Sequence, residues 1–169
     1  MYDLNKSQIM ELFQFDNAAK VISAAYIASS SGNVQTGDVV HLSFPGSNGD
    51  CHVKSGHINN TELYVIKIAS GFYDNPSKGL PSSNGMMLAF SASTGEPKAI
   101  LRDEGWLTDM RTGIGGAVAT KALAAKNAEK VLIIGSGIQA QFQAKCLASL
   151  MPERPFNFNI WGRNTSAAA

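Results

Sequence analysis

An apolar strand that runs straight into a glycine turn and then a helix constrains this chain more than any other feature. Val131-Leu132-Ile133-Ile134 leads directly into Gly135-Ser136-Gly137-Ile138-Gln139-Ala140. The pattern predicts a helix over 141–150 and a second strand over 156–161. Four apolar residues without polar alternation suit a strand covered on both faces, and the order strand, turn, helix, strand makes a right-handed βαβ unit with parallel strands. Gly135-x-Gly137-x-x-Ala140 lies where a dinucleotide-binding fold needs it. The first glycine allows the sharp turn, the second admits a pyrophosphate to the backbone, and Ala140 permits close helix-to-strand packing. A purely structural glycine turn is the alternative, and the flanking strand and helix favour cofactor binding.

The end of the second strand bears on which dinucleotide fits. An NAD site usually places Asp or Glu there for the ribose 2′-hydroxyl. This chain has Asn159-Ile160-Trp161-Gly162-Arg163 instead. A guanidinium suits a 2′-phosphate, which tilts the expectation toward NADPH within an NAD(P) site. A solvated arginine just past a strand is the competing reading.

Upstream the pattern changes. Helices are expected over 7–13 and 16–30, the second capped by Asp16 and ended by Gly32. Strands follow over 39–44, 51–58, 64–71, 86–92 and 98–102, separated by turn residues such as Asn59-Asn60, Asn84-Gly85 and Gly95-Glu96-Pro97. Such short connections imply a mostly antiparallel sheet. A Gly/Ala-rich helix opened by Thr108 closes this part. The expected architecture is an α+β domain over residues 1–124, followed over 125–169 by the start of an α/β Rossmann domain.

Composition narrows the function classes. Fourteen Lys+Arg against thirteen Asp+Glu leave a formal charge of +1, so no basic excess points to nucleic acid or an anionic membrane. No apolar run approaches a membrane span or a signal peptide. Cys51 and Cys146 fit neither a disulfide framework nor a C-x-x-C pair, so a reducing cytoplasm is expected. His41, His52 and His57 lack the accompanying ligands of a metal site, and none is expected.

Two cations stand out. Lys67, in Tyr64-Val-Ile-Lys-Ile-Ala-Ser70, alternates onto a face with Val65 and Ala69. It could hold a substrate carboxylate, move a proton once desolvated, or snorkel from an edge strand. Lys54 is similar but sits in a more polar strand, where solvation is favoured. If Thr108 caps its helix, Arg111 falls in the first turn, where the helix dipole disfavours a cation and an anion is expected nearby, with Thr112 as a further donor. A pair with Asp103, Glu104 or Asp109 is the structural alternative. Gly113, Gly115 and Gly116 each cost roughly 1 kcal/mol relative to alanine inside a helix, which close approach of a backbone or cofactor, or ordinary helix packing, would explain. The polar stretch 73–85 is long enough to suggest a functional loop.

Taken together, Lys54-Ser-Gly-His-Ile58, Lys67-Ile-Ala-Ser-Gly-Phe-Tyr-Asp-Asn75, Gly79-Leu-Pro-Ser-Ser-Asn-Gly85, Asp103-Glu-Gly-Trp-Leu-Thr-Asp-Met-Arg-Thr112 and Gly135-Ser-Gly-Ile-Gln-Ala140 resemble the ornithine cyclodeaminase and μ-crystallin family. The likeness runs through the whole chain in order, yet covers only about the first half of a typical member. The resemblance implies a substrate-binding and dimerisation domain before a dinucleotide domain, a homodimer, and hydride transfer at an amino-acid carbon bearing nitrogen. It places Lys67 and Arg111 on the substrate carboxylate, with Lys67 also catalytic. Thr112 falls beside the cofactor phosphate, and Gly135, Gly137, Ile138 and Gln139 on the dinucleotide turn. A further substrate arginine found in many members has no counterpart in 35–45, where His41 or Lys54 could substitute, and the aspartate used for proton transfer would fall beyond Ala169. Conversion of L-ornithine to L-proline and ammonia is the leading expectation. NADPH-dependent ketimine reduction, amino-acid dehydrogenation and a non-catalytic μ-crystallin-like binding role are the alternatives. The half-length chain by itself is expected to be inactive.

Overall fold

The computed structural model describes residues 1–163. Residues 164–169, the end of the expected Rossmann segment, lie outside the described residues. The chain forms two compact units. The first comprises Met1–Phe13 with Ala25–Leu107, and the second Gln14–Ala24 with the residues from Thr108 on. The expected division at 124/125 differs in two places: the second unit takes most of the helix Trp106–Leu123, from Thr108, and also Gln14–Ala24.

The first unit is built on a seven-stranded sheet. Its strands are β1 (Tyr2–Asn5), β2 (Val34–Thr36), β3 (Val40–Phe44), β4 (Gly49–Ile58), β5 (Leu63–Phe72), β6 (Ser83–Ser91) and β7 (Pro97–Arg102). The order is β1-β7-β6-β5-β4-β2, with β3 also paired to β4. All pairs are antiparallel except β1 with β7. The mostly antiparallel expectation therefore holds. β1 and β2 escape the sequence pattern because each is short and partly polar, and each exists through pairing with a stronger strand.

Helix α1 (Lys6–Leu12) begins with a capping box: the Asn5 side chain accepts from the Gln8 N–H, and the Gln8 side chain accepts from the Asn5 N–H. Phe13 meets Trp106 edge to face with centroids 5.0 Å apart. Helix α2 (Phe15–Ser30) starts one residue earlier than expected, so Asp16 lies inside its first turn instead of capping it. Gly32 follows it at φ +72°, a left-handed conformation that glycine adopts without strain. The stretch 73–85 is not one long loop, since a short 3-10 turn occupies Asn75–Lys78 and β6 begins at Ser83.

The second unit contains α3 (Trp106–Leu123, entering from the first unit), β8 (Lys130–Ile134), α4 (Ile138–Leu150) and β9 (Asn157–Trp161). Strands β8 and β9 pair in parallel, from Lys130 opposite Asn157 to Ile134 opposite Trp161, as the βαβ reading requires. Ile114, Ala117, Ala140, Cys146, Leu147 and Met151 are buried. Leu132, Ile134 and Trp161 share the opposite sheet face and are exposed. Two glycines of α3 have a packing role: a Cβ on Gly113 would lie 2.7 Å from the Phe142 carbonyl oxygen, and one on Gly116 would strike the Gln143 amide. Helix-to-helix approach therefore explains them.

Helix α3 opens two residues before the expected Thr108. Glu104 and Gly105 both take positive φ, 53° and 83°, turning the chain so that the buried Asp103 carboxylate accepts from the Leu107 N–H at 2.8 Å. Asp103 caps the helix, and Arg111 lies exposed in its second turn, not in the first turn where the dipole would call for an anion.

Candidate functional site

In the second unit, Gly135 follows β8 with φ +126°, a backbone state that a side chain would strain. Its N–H donates to the Trp161 carbonyl at 2.7 Å, which carries the parallel pairing one step past β8 and fixes the turn against the end of β9. Gly137 is the N-cap of α4 with φ −81° and ψ −176°, ordinary extended values. Its conformation does not demand glycine. The space beside it is open, since a Cβ there would meet nothing within 4 Å. The first-turn N–H groups of Ile138 and Gln139 sit at the positive end of the helix.

An open cleft of about 620 Å³ lies against this turn, lined by Ile134, Gly135, Ser136, Gly137, Trp161, Gly162 and Arg163. The donors and bare backbone fit a pyrophosphate, and Arg163 brings a guanidinium to the same cleft. Of the expected residues, Ile138 and Gln139 do not line this cleft, whereas Gly135, Gly137 and Arg163 do. Ser136, Trp161 and Gly162 join them, as the parallel register of the strand ends could have indicated.

Other expected cofactor contacts are tied up locally. Gln139 Nε2 donates to Asp109 Oδ1 at 2.7 Å, leaving its buried Oε1 without a hydrogen-bond partner among the described residues. The Thr112 hydroxyl donates to the Thr108 carbonyl at 2.7 Å, and the Thr112 carbonyl accepts from Gln143 Nε2 at 3.2 Å. Each acid weighed as a partner for Arg111 has another engagement: Asp103 with Leu107, Asp109 with Gln139, and Glu104 with Lys6 at 3.3 Å.

In the first unit, Lys67 lies in the middle of β5, a central strand rather than an edge, half-buried and paired with Met87 on one side and Lys54 on the other. Central placement removes the edge-strand reading. Lys54 is exposed, as its more polar strand leads one to expect. The hairpin register from Asn59-Asn60 places it directly across from Lys67, and counting outward from that turn would have found that pairing. On the same face His41 stacks on His52 with centroids 4.6 Å apart, and His52 Nδ1 lies 3.6 Å from Asp50 Oδ1. Among the described residues no group of three or more His, Cys, Asp or Glu gathers as a metal site. No helix among them is long and apolar enough to cross a membrane.

Residues 3–169 match the model of the ornithine cyclodeaminase/mu-crystallin family. The chain belongs to that family. An uncharacterized cyclodeaminase of Sinorhizobium fredii is 38% identical over 163 residues, covering 95% of this chain and 49% of that protein. The structure of Thermococcus litoralis Δ1-pyrroline-2-carboxylate reductase with NADH and L-proline is similar with a TM-score of 0.88 and 27% identity, over 99% of this chain and 51% of that one. An archaeal alanine dehydrogenase dimer with bound NAD has a TM-score of 0.79 and 25% identity, over 96% of this chain and 56% of that one. The chain spans about half the length of the relatives it matches.

Proposed function

We propose that the protein carrying this sequence is an NAD(P)-dependent oxidoreductase that moves a hydride at the α-carbon of an amino or imino acid. The observation that carries this reading is the open backbone at Gly137, at the N-terminus of α4, which lines one cleft with Gly135 and Arg163. Family membership and the dinucleotides named in the two similar structures support it.

When bound, a nicotinamide dinucleotide supplies the hydride acceptor or donor. Oxidation of the substrate breaks the α-C–H bond with its electron pair, makes a C=N bond from the nitrogen lone pair and releases a proton from nitrogen; reduction reverses each change. The chain's contribution is placement and charge. Gly135, Gly137, Ile138 and Gln139 hold the pyrophosphate through backbone, with Thr112 proposed beside a phosphate. Lys67 is proposed to hold the substrate carboxylate and to carry a proton, and Arg111 to be a second carboxylate ligand. Arg163 favours a 2′-phosphate and so NADPH. Ornithine cyclodeamination and ketimine reduction are two outcomes of this chemistry. The reductase in complex with NADH and L-proline supports the second, and Arg163 adds to it. The alanine dehydrogenase dimer supports a homodimer, and two free thiols, Cys51 and Cys146, suit a reducing cytoplasm.

Following nicotinamide absorbance while the protein is offered L-ornithine, L-proline and L-alanine with NAD⁺ or NADP⁺, and a cyclic ketimine with NADH or NADPH, tests the reading. Turnover of at least one pair is expected. Dinucleotide binding without turnover of any amino or imino acid would replace the enzyme with a μ-crystallin-like binding protein.

A further inference from the structure

Asp109 Oδ1 accepts from Gln139 Nε2 at 2.7 Å, joining the first turn of α3 to the first turn of α4 within the second unit. A carboxylate only accepts, so this contact decides which end of the Gln139 amide faces Asp109. The other end is left unsatisfied. Gln139 Oε1 is buried and has no hydrogen-bond partner among the described residues, a penalty that an apolar side chain of similar size would avoid. Packing the two helices does not require it. Further along the same interface the contacts are uncharged: Gln143 Nε2 donates to the Thr112 carbonyl at 3.2 Å, Gly113 lies against the Phe142 carbonyl, and Cys146 Sγ lies 3.7 Å from the Met110 sulfur.

Position supplies the reason for the bond. Gln139 is the second residue of α4 after its N-cap Gly137, at the helix end whose backbone N–H groups would point at a pyrophosphate. A hydrogen bond to a carboxylate is short and directional, so one anchored in α3 holds that end at a fixed distance and angle. Gln143 lies one turn further along α4, and its contact with Thr112 steadies the helix behind its end. The Asp109 bond acts at the end itself. We propose that Asp109 is a positioning residue for the dinucleotide: through the Gln139 side chain it fixes the N-terminus of α4, and with it the donors that meet the pyrophosphate. The inference rests on the dinucleotide reading above. It gives a role to a carboxylate that does not line the cleft.

The test titrates NADH and NADPH by fluorescence into the protein carrying this sequence and into Asp109→Asn, Asp109→Leu, Gln139→Met and the double variant Asp109→Leu/Gln139→Met. Each titration is run well below the variant's own melting temperature, so that affinity is read on folded protein. Asp109→Asn keeps an acceptor oxygen for Gln139 and should bind within about threefold of wild type, whereas Asp109→Leu and Gln139→Met should each lose about tenfold or more, the usual scale of one hydrogen bond to a charged group. The double variant should lose no more than the worse single one, because the two side chains act as one unit. Rescue by asparagine and this non-additivity are readouts that helix packing alone would not move. A lowered melting temperature with unchanged affinity in Asp109→Leu and Gln139→Met would make the bond a packing contact and overturn the inference. An Asp109→Asn loss as large as that of Asp109→Leu, or additive losses in the double variant, would overturn it as well, and in all these cases the dinucleotide reading stands. Wild type that binds neither dinucleotide would overturn that reading and this inference together.

Discussion

Gly113 of α3 lies so close to Phe142 of α4 that a Cβ added to it would sit 2.7 Å from the Phe142 carbonyl oxygen and 2.8 Å from Cys146 Sγ. The main obstacle is backbone, which cannot rotate away. Gly113→Ala gains about 1 kcal/mol of helix propensity and forces two helices apart, so a net loss of about 1–3 kcal/mol is expected. Gly116→Ala meets only the mobile Gln143 amide. Its propensity gain and the lost Gln143–Thr112 hydrogen bond nearly cancel, leaving it within about 1 kcal/mol of wild type. Urea unfolding of the two variants side by side checks the contrast, and equal destabilisation would remove the distinction.

Asp103 caps α3 from a buried position. Asp103→Ala should cost about 1–2 kcal/mol, while Asp103→Asn, which keeps an acceptor oxygen, should cost less. Thermal unfolding at neutral pH distinguishes them, and a harmless alanine would show that the cap contributes nothing.

What the sequence disclosed divides along physical lines. The β8-turn-α4-β9 unit was legible because an apolar strand, two glycines and a helix are all local signals. The hairpins of β4, β5 and β6 were legible for the same reason. The start of α3 was not, because its cap acts across four residues through a left-handed Glu104-Gly105 turn, which Thr108, itself a good capping type, concealed. β1 was hidden because Tyr2–Asn5 carries no strand pattern of its own and becomes a strand by pairing with β7, far away in sequence. The site divides similarly. Gly135 and Gly137 announce themselves, whereas the facing of Lys54 and Lys67 emerges only when two strands are set in register.

The Tyr73 phenol should titrate above its ordinary value. Its hydroxyl donates to Asp50 Oδ2, a bond lost on ionisation, and the Asp50 charge and slight burial push the same way. A raised folded value means that the tyrosine's contribution to stability is complete below the unfolded value of about 10 and is lost as pH rises through the folded one. Ultraviolet titration of phenolate formation should show a late-ionising tyrosine that Asp50→Asn shifts downward. An unchanged curve in that variant would refute the assignment. Tyr73 is largely exposed, so Tyr73→Phe should barely alter stability at neutral pH.

Dinucleotide affinity of the Gly137→Val variant tests the central claim most directly. The backbone at Gly137 accepts valine and the added Cβ meets no protein atom within 4 Å, so the fold should be retained with an unchanged melting temperature. The branched side chain would occupy the space through which a pyrophosphate approaches the helix N–H groups. Titration of NADPH and NADH, followed by fluorescence, should give binding to the wild-type protein and a loss of at least about tenfold, an energy of about 1.4 kcal/mol, in Gly137→Val. A variant that folds normally and binds either dinucleotide as tightly as wild type would contradict the account.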